Sequence, residues 1–386
     1  MKATKILSLA ILSVFFLSCS TGTKKEETSK DTAPAVTERE KWTTEKANEW
    51  YDKQPWLVGC NFLPSTASNQ LEMWQAETFD TTTISRELGW AAGLGMNTVR
   101  VYLHDLLFEQ DSAGFYKRMD TFLDIAASHG IRPLFVLFDS VWDPFPKPGA
   151  QRTPTPHVHN AGWIQSPGKE ALLDSTQHPR FQSYVRGVIG RFANDSRILG
   201  WDIWNEPENP NKSAYGDVEI PDKAQVVLPL LKDAFKAARS VNPSQPLTAG
   251  VWRDDWSEES KLTPINKLML DESDVISFHS YDDPKEFEKR VSWLTPLGRP
   301  LICTEYMARG NKSTFESTLP VAKKYRVAAY NWGLVDGRSQ TIYPWDSWKK
   351  KYTGEPELWF HDIFRKDGTP YKVSETEFIK KIISEK

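Results

Sequence analysis

The 386-residue sequence holds three cysteines, Cys19, Cys60 and Cys303, too few for a disulfide framework. It has no Cys/His spacing suited to zinc. Neither sign of charge dominates: 48 Lys and Arg against 51 Asp and Glu leave a net charge of −3, which excludes the basic footprint of a nucleic-acid binder. The apolar run Ile6 to Leu17 has 12 residues, short of the roughly 20 that span a bilayer. A glycine-rich phosphate turn is missing after the first strand-like run, which continues Asn61-Phe62-Leu63-Pro64, so a dinucleotide-binding open sheet is disfavoured.

What is abundant is tryptophan, with 16 residues, several times an average share. Trp56, Trp201 and Trp204 fall in strand-like runs and read as structural. Trp74, Trp142, Trp163, Trp252, Trp256, Trp345 and Trp348 lie in loop-like sequence, where an exposed flat ring with one N–H donor suits a sugar face.

Residues 1–19 read as an export leader: Lys2 and Lys5 form a basic start, an apolar run follows, and Leu17-Ser18-Cys19 ends it. The Cys after a small residue resembles a bacterial lipoprotein signal, which implies lipidation at Cys19 and an exported protein anchored to a membrane; an ordinary cleaved leader is the alternative. Residues 20–41 are polar and charged, the composition of a flexible tether. Residues 42–386 are then expected to form one catalytic-size domain, with Cys60 and Cys303 as buried free thiols.

Eight apolar, β-rich runs recur at 56–62, 97–103, 133–138, 198–204, 246–251, 274–279, 300–305 and 327–332. Helix-period stretches lie between them at 80–94, 115–129, 179–194, 222–240, 258–271, 284–294 and 313–325, with 357–364 after the last run. Continuous apolar strands separated by amphipathic helices imply a covered parallel sheet, and eight such units predict a (β/α)8 TIM barrel. Active sites of such barrels form at the carboxyl ends of the strands. There this sequence places Asn61, His104 with Asp105, Asp139, Asn205 with Glu206, His279, Glu305 and Asn331. Long loops at 139–177 and 333–356 are expected to wall the mouth.

The sharpest local signal is Trp201-Asp202-Ile203-Trp204-Asn205-Glu206-Pro207, in which a strand delivers Glu206 to the mouth and Pro207 ends the pairing. Glu305 ends the seventh run. Two carboxyls on one mouth are what a retaining glycosidase needs, one protonated to donate and one ionised to attack. Arg100 on the second run, Asn205-Glu206 on the fourth, His279 and Tyr281 on the sixth, Glu305 on the seventh and Trp332 on the eighth together resemble glycoside hydrolase family 5.

That resemblance implies Glu305 as nucleophile, Glu206 as acid/base and Asn205 on the sugar 2-hydroxyl. It further implies Arg100 and Tyr281 supporting Glu305, Trp332 as a sugar platform, and no cofactor or metal. Asp139 stands where the family carries a His on the third strand, so the sugar's hydrogen bonds differ there; Asp139 and Trp142 join the candidate substrate contacts. His104 offers itself as a partial substitute, with a surface histidine the simpler reading. The implied partner is a β-linked oligo- or polysaccharide of mannan or glucan type, cleaved by a monomer. A non-catalytic glycan-binding protein, a transglycosylase, or a hydrolase of another family in the same clan are the competing readings.

Overall fold

The computed structural model describes residues 38–385, so the leader, most of the tether and Cys19 lie outside the described residues. Helix α1 (Thr44–Asp52) precedes strand β1 (Val58–Asn61). Helices α2 (Gln70–Trp74) and α3 (Thr81–Gly93) lead to β2 (Thr98–Tyr102), and α4 (Asp105–Ser128) leads to β3 (Arg132–Asp139). Helices α5 (Lys169–Leu173) and α6 (His178–Arg191) precede β4 (Gly200–Asn205), and α7 (Lys223–Arg239) precedes β5 (Leu247–Thr248). Then come α8 (Pro264–Glu272), β6 (Ile276–His279), α9 (Pro284–Leu294), β7 (Leu301–Tyr306), α10 (Phe315–Lys324), β8 (Ala328–Trp332) and α11 (Val373–Ser384).

The strands form one parallel sheet in the order β5-β4-β3-β2-β1-β8-β7-β6. Val251 joins the two edges: its N–H donates to the Ser277 carbonyl at 3.1 Å, and its own carbonyl accepts from His279 N–H at 3.0 Å. The result is the (β/α)8 barrel. Its strands are buried at almost every position, because helices cover the outer face and side chains fill the inner one. Helices begin where the chain supplies caps, as at Thr263 before Pro264 and Asp283 before Pro284.

The floor of the barrel is plugged by Trp42 and α1, whose Ala47 and Tyr51 pack on Leu134, Leu199, Val275 and Ile302 near the amino ends of their strands. Arg39, which composition placed in the tether, is bound there to Asp274 at 2.7 Å. Cys60 and Cys303 are buried free thiols.

Four expectations are corrected. Trp74 and Trp256 are core residues rather than loop aromatics; Trp74 sits on the short α2 and donates its indole N–H to the Tyr102 carbonyl at 2.9 Å. His104 is fully buried and caps α4 by accepting from Leu106 N–H, because β2 passes directly into that helix; it is not a surface histidine. Of the 246–251 run, only Leu247 and Thr248 form strand. The stretch 357–364 is an extended loop, and α11 is the last helix. Its large residues pack in two directions, Phe360 on Trp345 and Phe364 on Trp90, while Arg309 binds the carbonyls of Trp359, His361 and Asp362.

Asp362 lies behind β8, where Thr341 donates to it at 2.6 Å, yet burial pushes its carboxyl up to about 7. Between its ordinary 3.8 and that value, the folded protein holds a proton that the unfolded chain has released. This contribution to stability is complete at low pH and disappears as pH rises through about 7. Asp362→Asn is therefore expected to flatten the fall in stability between roughly pH 4 and 7, by on the order of a few kcal/mol. Thermal denaturation at stepped pH checks this, and an unchanged slope would show that the carboxyl is not neutral in the fold.

Candidate active site

At the carboxyl ends of the strands lies a cavity of about 460 Å3. Glu206 enters it from the end of β4, where its backbone has φ +42°, a left-handed conformation that costs a non-glycine residue on the order of 1–3 kcal/mol and recurs at functional sites. Glu305 enters from β7. A carboxylate oxygen of each and a ring nitrogen of His279 all lie within 4.8 Å of one another.

Every oxygen of the pair has a donor or an imidazole beside it. Glu305 Oε1 accepts from Arg100 Nη1 and from the Tyr102 hydroxyl, both at 2.9 Å, and Oε2 accepts from the Tyr281 hydroxyl at 2.8 Å. Glu206 Oε2 accepts from Asn209 Nδ2 at 2.6 Å, and Oε1 lies 2.9 Å from His279 Nδ1. Burial opposes the charge on Glu305; His279, Arg100 and the two tyrosine hydroxyls together outweigh it and hold the carboxyl below its usual range. Glu206, His279 and Glu305 are also the one group among the described residues with metal-ligand spacing. Their atoms are already hydrogen-bonded to neighbours, an arrangement suited to proton transfer.

Arg100 organises the centre. Fully buried, it donates to Asp202 Oδ2 at 2.8 Å, to Asn205 Oδ1 at 2.7 Å and to Asn61 Oδ1 at 2.9 Å, as well as to Glu305. Asn205 in turn donates its Nδ2 to Asp139 Oδ1 at 2.9 Å, and Asp139 Oδ2 accepts from the Trp163 indole at 2.6 Å and from Gln70 at 3.2 Å. Burial, helped by the charges of Glu206 and Glu305, pushes Asp139 up to about 7 against the donors from Asn205 and Trp163. Asp139 borders the cavity with its oxygens already engaged, so it orients Asn205 and Trp163.

The structure brings Glu206, Glu305, Asn205, His279, Tyr281, Trp332, Asp139 and Trp142 to this one cavity, with Arg100 directly beneath. Trp163, Trp252 and Trp345 line it as well, and Trp348 stacks on Trp142. His104 does not reach it. The sequence reading passed over Tyr102, Asp202 and Asn209. Tyr102 had a signal, being two residues from Arg100 on one strand and hence on the same face; Asp202 acts through a contact that only the closed barrel creates, and Asn209 through the turn that follows Glu206.

The sequence matches cellulase (glycosyl hydrolase family 5) over residues 58–351. A 91-residue stretch is 28% identical to mannan endo-1,4-β-mannosidase A of Emericella nidulans and spans 24% of this chain and 21% of that enzyme. The exo-β-1,4-mannosidase of Opitutaceae bacterium strain TAV5 superposes with a TM-score of 0.58 at 18% identity, over 85% of this chain and 59% of that one. A GH5_18 enzyme of Streptomyces cattleya in complex with GlcNAc gives 0.56 at 14% identity, over 86% and 81% of the two chains. The endo-1,4-β-D-mannanase of Thermotoga petrophila gives 0.52 at 14%, over 85% and 99%. Likeness at these identities is likeness of fold, whereas the family match spans most of the barrel: the chain belongs to glycosyl hydrolase family 5.

Proposed function

We propose that the protein is a retaining hydrolase of β-linked glycans, with Glu305 as nucleophile and Glu206 as acid/base. The observation that carries this reading is the pair of carboxylates with one oxygen of each within 4.8 Å of the other; retaining enzymes hold their carboxyl groups about 5–5.5 Å apart, whereas inverting enzymes need room for a water between them. Glu305, kept ionised, attacks the anomeric carbon as Glu206 hands its proton to the departing oxygen. Loss of the Glu305 charge in the resulting ester lets Glu206 take a proton from water, which releases the sugar and restores both groups. Asn205, held by Arg100 and Asp139, meets the 2-hydroxyl, a contact that strengthens as the oxocarbenium ion develops. Trp332 is the platform under the ring.

The substrate class is a β-1,4-linked hexose chain of mannan or glucan type, a reading supported by the mannan-cleaving relatives. The protein is further proposed to act as a monomer, exported and held through a lipid on Cys19, on the strength of the leader's pattern.

A screen of β-mannans, β-glucans and aryl β-glycosides tests the proposal, with Glu206→Ala beside the parent. On natural glycans the variant is expected to lose roughly 10²–10⁴-fold in kcat. On dinitrophenyl glycosides, whose leaving group needs no proton, the ester-forming step is expected to survive and its breakdown to become limiting, visible as a burst. Equal losses on both substrate types would remove Glu206 from the acid/base role, and heat of glycan binding with no product from the parent would make the protein a binder.

A further inference from the structure

Resting on the hydrolase reading, we infer that the enzyme works from the chain end: the glycone side of the cavity admits one terminal β-linked sugar, and the aglycone side is open. The two sides are set by the chemistry. The departing oxygen must meet Glu206, while the sugar under attack lies over Trp332 beside Asn205. The glycone therefore extends from Glu206 past Trp332.

In that direction the cavity ends. Trp163, 3% exposed, packs edge-on against Trp332 at 5.6 Å and Tyr102 at 5.1 Å and is pinned through its indole N–H to Asp139. Behind Trp163 and Trp332 the remaining space is about 20 Å3, enough for about one water and far short of a second sugar ring. Beside it Trp142 and Trp348 stack at 5.4 Å with planes 15° apart.

The wall is sewn from three loops. Asn160 N–H donates to the Ser339 carbonyl at 2.9 Å, Gln340 Nε2 donates to the carbonyls of Thr155 and Val158, and Arg338 N–H donates to the Ser65 carbonyl at 3.0 Å. Gly337 lies so close to the β1 loop that a Cβ there would stand 2.6 Å from Ser65 Cα. These bonds between loops resist the separation that a longer glycone would demand. On the side of the segments that follow β4 to β7, the cavity is bordered by exposed or half-exposed polar and aromatic groups, among them Lys212, Trp252, Arg290 and Asn311, and among the described residues no comparable set of cross-loop bonds closes it there.

The test uses the full chain with β-1,4-mannopentaose and cellopentaose, each reduced at its reducing end to mark direction. The expected first products are a monosaccharide and the tetrasaccharide alditol, followed by stepwise shortening. Early appearance of a free disaccharide or trisaccharide would overturn the single-sugar pocket while leaving the hydrolase reading in place. Cleavage of aryl β-glycosides with neither pentaose touched would likewise overturn the inference for β-1,4 chains. No turnover of any β-glycoside would overturn the hydrolase reading and this inference with it.

Discussion

Glu305→Ala is expected to lower kcat on any glycan the enzyme cleaves by at least about ten-thousand-fold, since the nucleophile defines the first chemical step and its loss costs about as much as loss of the whole catalytic group. The variant should still fold: the Glu305 carboxylate is buried and held by Arg100, Tyr102 and Tyr281, but Arg100 keeps Asp202 as a second counterion. Azide can occupy the space left by the carboxylate and attack the anomeric carbon from the same face. One displacement inverts the centre, so an activated β-glycoside with azide should give recovered rate and an α-linked glycosyl azide, identifiable by NMR. A β-linked azide product, or a variant as fast as the parent, would remove Glu305 from the nucleophile's role.

Arg100→Met carries the second large effect, because it acts on fold and chemistry together. The guanidinium is fully buried between Asp202 and Glu305 at 2.8 and 2.9 Å, and burial raises the Asp202 carboxyl above its usual range even with Arg100 opposing it. Removing one partner of such a network typically costs about 3–5 kcal/mol, as the remaining charge is stranded without water. Urea denaturation should show a loss of that order. The double variant Arg100→Met with Asp202→Asn should regain part of the stability, since the stranded carboxylate is gone, yet regain none of the activity, since Glu305 still lacks its cation. Equal recovery of both would mean that Arg100 serves the barrel alone.

The strands were readable because each is buried on both faces and so is apolar without interruption; β6 and β7 lie within two residues of the runs that announced them. Strand β5 was overread because Pro246 and Gly250 flank a pairing that only Leu247 and Thr248 complete. The cavity's principal side chains could be placed because strand ends in a barrel converge. The network beneath them was less accessible: Asp202 is one polar residue in an apolar strand until the closed sheet sets it against Arg100. Trp74 and Trp256 show the limit of reading aromatics by context, since loop-like sequence folded them into the interior. The segment 357–364 misled for a related reason: its apolar residues serve two separate packing surfaces, and that spacing imitates one helical face.

The plugged floor has a geometric result. Arg39 and Trp42 are seated beside the amino ends of the strands, so the described polypeptide begins on the face opposite the catalytic mouth. A long glycan can therefore approach the mouth head-on without meeting Arg39, Trp42 or α1.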